Sequence, residues 1–219
     1  MLEKPSFILP KDLPSRIPLL DISGAVLLPR GQLPVTLEKH HAPVIQKALG
    51  SDRLVGVVQK RTDEIKTSDD SFFQAGCLGR ISAFSEAEKG QDFVILTGIT
   101  RFRVINCIDK ETDVRDLEVT YEPFSFDGIE HREKVENRED FLELVRGYCH
   151  LHDINPNWEE VLKANDDTLV TSFAMMCPFN ASERQALLEM PTLKDREKMM
   201  IALMEIACLK GTEQRNRFH

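Results

Sequence analysis

The sequence contains no CxxC pair. Its five cysteines, Cys77, Cys107, Cys149, Cys177 and Cys208, are odd in number and widely spaced, which excludes a disulfide framework or a zinc site of ordinary spacing and suits a reducing cytosol. It also lacks an excess of positive charge. The formal net charge is −8, with 16 basic and 18 acidic residues over 1–125 and 12 and 18 over 126–219. DNA, RNA and anionic membrane surfaces all reward clustered Lys and Arg, so this balance argues against each as a main partner. The opening stretch "MLEKPSFILPKDLPSR" has three prolines and no apolar signal-like core, and no later run approaches the ~20 apolar residues that cross a bilayer. A cytoplasmic protein with no membrane partner is expected. There is no GxxxxGK[ST], no GxGxxG and no GxSxG, so neither the usual phosphate cradle nor a hydrolase nucleophile elbow is present in the sequence. No cofactor is expected.

Hydrophobic residues at 42% and charged residues at 29% suffice for a packed core. The first half reads as strands. "IPLLDISGAVLLPRGQLPV" (17–35) is apolar and branched but broken by Pro18, Gly24, Pro29, Gly31 and Pro34, which excludes a useful helix. "HHAPVIQKALG" reads as one short helix with Pro43 in its first turn, and "RLVGVVQKR" as the strand after it. The polar stretch 62–70 reads as a surface loop. Beyond it, "QAGCLGRISAFSEA", "QDFVILTGITRFRVINCI" and "RDLEVTYEPF" read as strands, with a turn around Gly90 and with Leu117, Val119 and Tyr121 alternating against Glu118, Thr120 and Glu122. An antiparallel meander or small barrel is expected.

From about residue 127 the period changes to that of helices. Phe141, Leu144, Val145 and Tyr148 form one stripe, Asn157 caps a helix carrying Trp158, and Leu169, Val170, Phe173, Ala174 and Cys177 form another stripe ended by Pro178. Ser182 with Gln185 fits a capping box, and Thr192 caps a last helix with Met199, Met200, Leu203, Ile206 and Ala207 inward and Gly211 as its stop. The expected division is a β-rich subdomain at 14–125, a helical one at 126–211, and flexible termini at 1–13 and 212–219.

Each candidate for chemistry has a plainer reading that the spacing favours. Met175, Met176 and Cys177 suggest soft metal ligands, yet no His or second Cys lies at ligand spacing, so core packing is expected and the metal expectation is none. "CHLHD" could bring Cys149, His152 and Asp153 to one helix face as a metal or hydrolase site, but a frayed helix end explains its histidines. His40 and His41 read as solvated loop residues. The pairs Glu159–Glu160 and Asp166–Asp167 sit at helix starts, where the dipole favours carboxylates. Arg101 and Arg103 share a strand face, read as solvated or salt-bridged rather than as an RNA surface. Phe72 and Phe73 are the most arguable contact residues, with buried plugs as the alternative. Six of the seven methionines follow residue 174, and such flexible thioethers fill irregular cores and also suit surfaces that accept varied apolar partners.

Taken together, the two halves resemble the N-terminal substrate-binding domain of the Lon ATP-dependent proteases over roughly residues 14–210. Three stretches carry the resemblance. "IPLLDISGAVLLPRGQLPVTL" holds the strand, turn and strand through Pro18, Pro29, Gly31 and Pro34, with Arg30 interposed before Gly31. "AGCLGRISAF" and "VILTGITRFRVI" match through Gly76, Ile81, Gly98, Arg101 and Val104 or Ile105. "CPFNASERQALLEMPTLKDREKMM" matches through Gln185, Leu187, Leu188, Glu189 and Arg196. The resemblance implies an α+β fold, a β-rich PUA-like pseudo-barrel followed by an α-helical bundle, with these motif residues structural. It further implies a non-catalytic module that engages unfolded or partly folded polypeptides or a partner protein, since the family's nucleotide loop and Ser–Lys pair have no counterpart in this sequence. Phe72, Phe73, Met175 and Met176 are the candidate polypeptide contacts. An RNA-associated PUA-like module resting on Arg80, Arg101 and Arg103 is the second reading, disfavoured by the acidic balance. A hydrolase around Cys149 and His152 is the third.

Overall fold

The computed structural model describes residues 12–61, 71–86, 92–108, 114–127 and 134–216, with side chains described as far as Lys210. The expected loop at 62–70 and the turn around Gly90 lie outside the described residues, as do 1–11 and 217–219 of the expected termini. The chain divides into two compact units, Met1–His131 and Arg132–His219.

Among the described residues the first unit is built on six strands: β1 (Arg16–Ile22), β2 (Gln32–Thr36), β3 (Leu54–Gln59), β4 (Ala75–Ser85), β5 (Phe93–Ile108) and β6 (Asp116–Thr120), with an α-helix, α1 (Ala42–Leu49), between β2 and β3. The sheet order is β2-β5-β4-β3-β1-β6, and a further β5–β6 pairing closes it into a PUA-like pseudo-barrel. β1 and β3 are parallel, as expected when β2 and α1 intervene as a crossover, and the other pairs are antiparallel. The 16-residue β5 serves two partners: Phe93–Thr97 pairs with β2, and Arg103–Ile108 pairs with β6. Ile17, Leu19, Val58, Leu78, Phe102, Leu117 and Val119 fill the interior with Phe72 and Tyr121. The Tyr121 hydroxyl donates to the Pro14 carbonyl at 2.8 Å, so its one polar atom is satisfied.

The glycines Gly76 and Gly98 and the turn before β2 explain the sequence motif. A Cβ at Gly76 would lie 2.4 Å from the Val57 carbonyl oxygen, so only glycine lets β4 lie this close to β3 there. At the turn, the interposed Arg30 takes a left-handed φ of 65° and donates its N–H to the Gly98 carbonyl. Pro29 and Gly31 are buried beside it, Pro18 is half-buried in β1, and Pro34 lies exposed in β2.

Among the described residues the second unit holds five helices: α2 (Arg138–Leu151), α3 (Trp158–Lys163), α4 (Asp166–Met176), α5 (Ala181–Glu189) and α6 (Leu193–Asn216). Their boundaries follow side-chain caps. Asn157 accepts from the Glu159 N–H and Asn165 from the Thr168 N–H, as the cap chemistry requires. The Thr192 hydroxyl accepts from the Asp195 N–H at 3.1 Å. α5 starts earlier than the sequence suggests: Asn180 and Glu183 form the capping box, not Ser182 and Gln185. Gly211 does not stop α6, which runs on to Asn216. The structural role of the last motif is visible here. Leu188 is core, Gln185 donates to Glu189 at 2.8 Å, and the buried Arg196 Nε donates to the Leu187 carbonyl at 3.0 Å, tying α6 to the C-terminal end of α5.

Candidate functional site

Of the four residues proposed as polypeptide contacts, the structure withdraws one and exposes another. Phe72 is 1% exposed in the barrel core, so it is a plug and presents no contact surface. Phe73 is half-buried with the Arg61 guanidinium 5.1 Å from its ring centre. Phe72 forms an isolated antiparallel bridge with Lys60 just before β4. Met175 is half-buried at the end of α4. Met176, for which core packing was the alternative to a contact role, is 45% exposed.

Met176 is joined by apolar residues that the sequence reading placed inside or passed over. On α6 the buried methionines are Met200 and Met204, whereas Ile206 is 49% and Leu209 67% exposed. The correction follows from the helix having apolar residues on more than one face. α4 and α6 pack against each other, Met176 lies at the C-terminal end of α4, and Ile206 and Leu209 lie in the C-terminal half of α6. Exposed aliphatic and thioether side chains at the end of a bundle suit contact with apolar segments.

The two buried thiols of the helical unit are not activated. Cys149 and Cys177 are buried, and burial pushes the Cys149 thiol up and the Cys177 thiol up to about 12, the opposite of an activated thiolate. The His152 ring rests 4.4 Å from the Tyr148 ring, and "CHLHD" does not form a metal-ligand cluster among the described residues. In the β unit a shallow, open depression of about 420 Å³ is lined by Leu13, Ser15, Val119, Thr120, Tyr121, Glu122 and Ser125.

A cluster absent from the sequence reading forms in the β unit, where His40 and His41 meet Asp21 from β1. His41 is buried, not solvated as its loop position suggested. Its Nδ1 accepts from the Glu38 N–H at 3.2 Å and its Nε2 donates to the Asp21 carbonyl at 3.1 Å. Both ring nitrogens are therefore engaged, and the Nε2 that would ligate a metal carries the proton. The Asp21 carboxylate already faces Lys60 at 3.2 Å and Arg115 at 3.8 Å. This is a neutral structural imidazole, and a metal does not fit it. Burial, then the neighbouring His40, holds His41 below the ordinary 6.5. Below about pH 6.5 the unfolded chain takes up a proton that folded His41 refuses. Stability of the β unit is therefore expected to fall as pH drops from there toward the folded value, then level off. Amide exchange of α1 and β1 measured across this range should show the slope in the native protein and its loss in His41→Gln; an unchanged slope in the variant would locate the titration elsewhere.

Arg101 is consumed structurally. Its Nε and Nη2 donate to the Asp127 carboxylate at 2.6–3.1 Å, its backbone N–H donates to the same carboxylate at 2.8 Å, and its guanidinium lies 4.5 Å from the Phe124 ring centre. Arg103 is exposed on the same strand. The arginine surface of the RNA reading thus loses its central member.

Comparison with known proteins places this geometry. The description "ATP-dependent protease La (LON) substrate-binding domain" matches residues 16–205. Among curated relatives, Lon protease 2 of Myxococcus xanthus is 24% identical over 211 residues, 91% of this chain and 24% of that protein. Lon protease 1 of Bdellovibrio bacteriovorus is 25% identical over 203 residues, 87% of this chain and 24% of that protein. The chain thus spans about a quarter of the length of these relatives. Among solved structures, the Lon N-terminal domain protein from Xanthomonas campestris superposes with a TM-score of 0.58 at 19% identity, covering 85% of this chain and 97% of that one. The N-terminal domain of the Mycobacterium avium complex Lon protease gives 0.57 at 16%, covering 87% and 98%. These two likenesses establish the shared fold. With most of its length matched by that one description, the chain belongs to the LON substrate-binding domain family.

Proposed function

We propose that this chain is a non-catalytic, cytoplasmic recognition module that binds unfolded or partly folded polypeptides without a cofactor, and that the exposed apolar side chains of its helical unit are contacts. The observation that carries the reading is the exposure of Met176, Ile206 and Leu209 in a chain matched by a substrate-binding domain. Large apolar side chains left in water at the end of a helical bundle lower the free energy when a client covers them, by roughly 1.5–3 kcal/mol each when fully buried. Met175, half-buried beside them, lends adaptable packing, and Phe73 is a weaker contact on the β unit. Among the described residues no helix is long and apolar enough to cross a membrane. The acidic balance of −8 supports a protein partner over DNA or RNA.

The reading is tested with purified protein against a thermally unfolding client and a fluorescent peptide series. Wild type is expected to slow client aggregation and to bind apolar peptides. Met176→Ser combined with Leu209→Ser should weaken both by roughly tenfold or more, since two apolar contacts are lost at exposed positions. Retention of full binding by that double variant would remove these side chains from the site, and absence of any peptide or client binding by wild type would sink the function itself.

A further inference from the structure

β4 extends past its neighbour. Its pairing with β3 runs from Cys77 to Arg80 and ends where the Ile81 N–H donates to the Arg53 carbonyl at 2.8 Å. β3 begins at Leu54, and at Arg53 the chain turns out of the sheet with φ of 60°. Beyond that point Ala83, Phe84 and Ser85 pair only with β5, opposite Ile95, Val94 and Phe93, and among the described residues nothing pairs with their other edge. Residues 82–85 are all exposed, Phe84 included.

The two outer strands of this part of the sheet differ in a telling way. β2, on the far side of β5, carries Pro34 at its centre, which removes an N–H donor and is a common means of blocking edge pairing. The β4 overhang, Ser-Ala-Phe-Ser, has neither proline nor charge. A β-bulge lies at its root, between Ile81 and Ala83, and the Ser82 hydroxyl is held to that of Thr97 at 2.5 Å. Unpaired backbone N–H and C=O groups on a short neutral strand have one complementary occupant, another extended backbone. A segment added antiparallel to β4 would continue the line of β3 and run with its C-terminal end toward Arg53. There Arg53 and Arg80 are both exposed, and among the described residues neither has an ion-pair partner. In a chain with net charge −8, two uncompensated cations at the end of an open edge favour a carboxylate.

We propose that the free edge of β4 at residues 82–85 accepts an extended, uncharged segment of a client polypeptide as an added antiparallel strand, with a carboxylate at that segment's C-terminal end held by Arg53 and Arg80. This rests on the polypeptide-binding reading and names the conformation and charge of the segment engaged. Main-chain hydrogen bonds make the edge tolerant of sequence, and the arginines set its direction.

The test uses the full chain, isotope-labelled, and a short valine- and threonine-rich peptide ending in Asp with a free C-terminus. The amides of 82–85 are expected to shift and to gain exchange protection on titration. Binding should weaken roughly tenfold when a proline is placed at the peptide's centre, and severalfold in Arg53→Ala with Arg80→Ala or when the peptide's acidic end is replaced by Asn-amide. Phe84→Lys serves as an edge variant whose fold is checked by the unchanged amide spectrum of β5. Binding that leaves the amides of 82–85 unperturbed and shifts those of α4 and α6 would overturn this inference while leaving the polypeptide-binding reading in place. No binding by this peptide or by any client would overturn both.

Discussion

Replacing Arg101 with methionine is expected to destabilise the β unit by about 3–5 kcal/mol, the range found when one member of a buried ion pair is removed and the other is left uncompensated. The side chains of Arg101 and Asp127 are 4% and 7% exposed, so water does not screen them. Methionine keeps much of the stem volume but removes the guanidinium hydrogen bonds to Asp127 and the contact over Phe124, leaving the Asp127 carboxylate with the backbone N–H of residue 101. Arg101→Lys should recover only part of the loss, because an ammonium lacks the planar fork that meets both carboxylate oxygens. Arg101→Met with Asp127→Leu should recover more than either single change, since no buried charge is then stranded. Because the one tryptophan, Trp158, lies in the helical unit, the measurement is amide exchange along β5 rather than fluorescence. A single variant within 1 kcal/mol of wild type would mean that the pair is solvated in solution.

The Arg101–Asp127 pair also shows where sequence reasoning stops. Alternation along β5 correctly puts Arg101 and Arg103 on one face, but whether that face is wet depends on the chain beyond β6, which folds over it through the turn at Glu122–Phe124. No local pattern links residues 26 apart. The same holds for His41, whose burial depends on Asp21 from a strand twenty residues earlier. What was legible was local. Prolines and glycines at 17–35 gave short strands because their dihedral limits act within a few residues, and the alternation of Leu117, Val119 and Tyr121 gave β6 and its inward face. Asn157 and Thr192 gave helix starts because a cap is a contact within one turn. Even a local rule failed when two registers fitted it: Asn180 with Glu183 and Ser182 with Gln185 both match the capping pattern, and α5 uses the first. α6 was misread for a different reason. With apolar residues around more than one face, its sequence does not say that Met204 is inside and Ile206 outside; packing against the other helices of the unit decides it. The candidate contact surface is thus the part least visible in the sequence, since it consists of apolar residues that the interior did not claim.

Gly98→Ala is expected to be the most damaging single-methyl change in the chain, at about 3 kcal/mol or above the usual range for overpacking. Gly98 sits on β5 between the segment that pairs with β2 and the segment that pairs with β6. Its carbonyl accepts the Arg30 N–H at 2.8 Å and its N–H donates to the Gly31 carbonyl at 2.9 Å, so the turn before β2 is bonded directly onto it. A Cβ there would stand 2.0 Å from the Leu28 carbonyl oxygen and 2.8 Å from its carbon. Those atoms are backbone, held by the Gly31 N–H donated to Leu28 and by the buried Leu27 and Leu28 side chains, and they have no rotamer by which to move aside. The turn must therefore lift, and lifting it breaks the bonds to Arg30 and Gly31 together. Gly56→Ala is the control: its Cβ would meet the Ile17 side-chain end at 2.6 Å, a group that can rotate, so its cost should be smaller. Exchange of the β2 and β5 amides in the two variants distinguishes these cases. Equal and mild effects would mean that the turn yields freely and that the glycine is not required by close approach. A selective loss of protection at β2 and residues 93–98 in Gly98→Ala would show that one missing methyl group is what lets the strand and the turn share their backbone bonds.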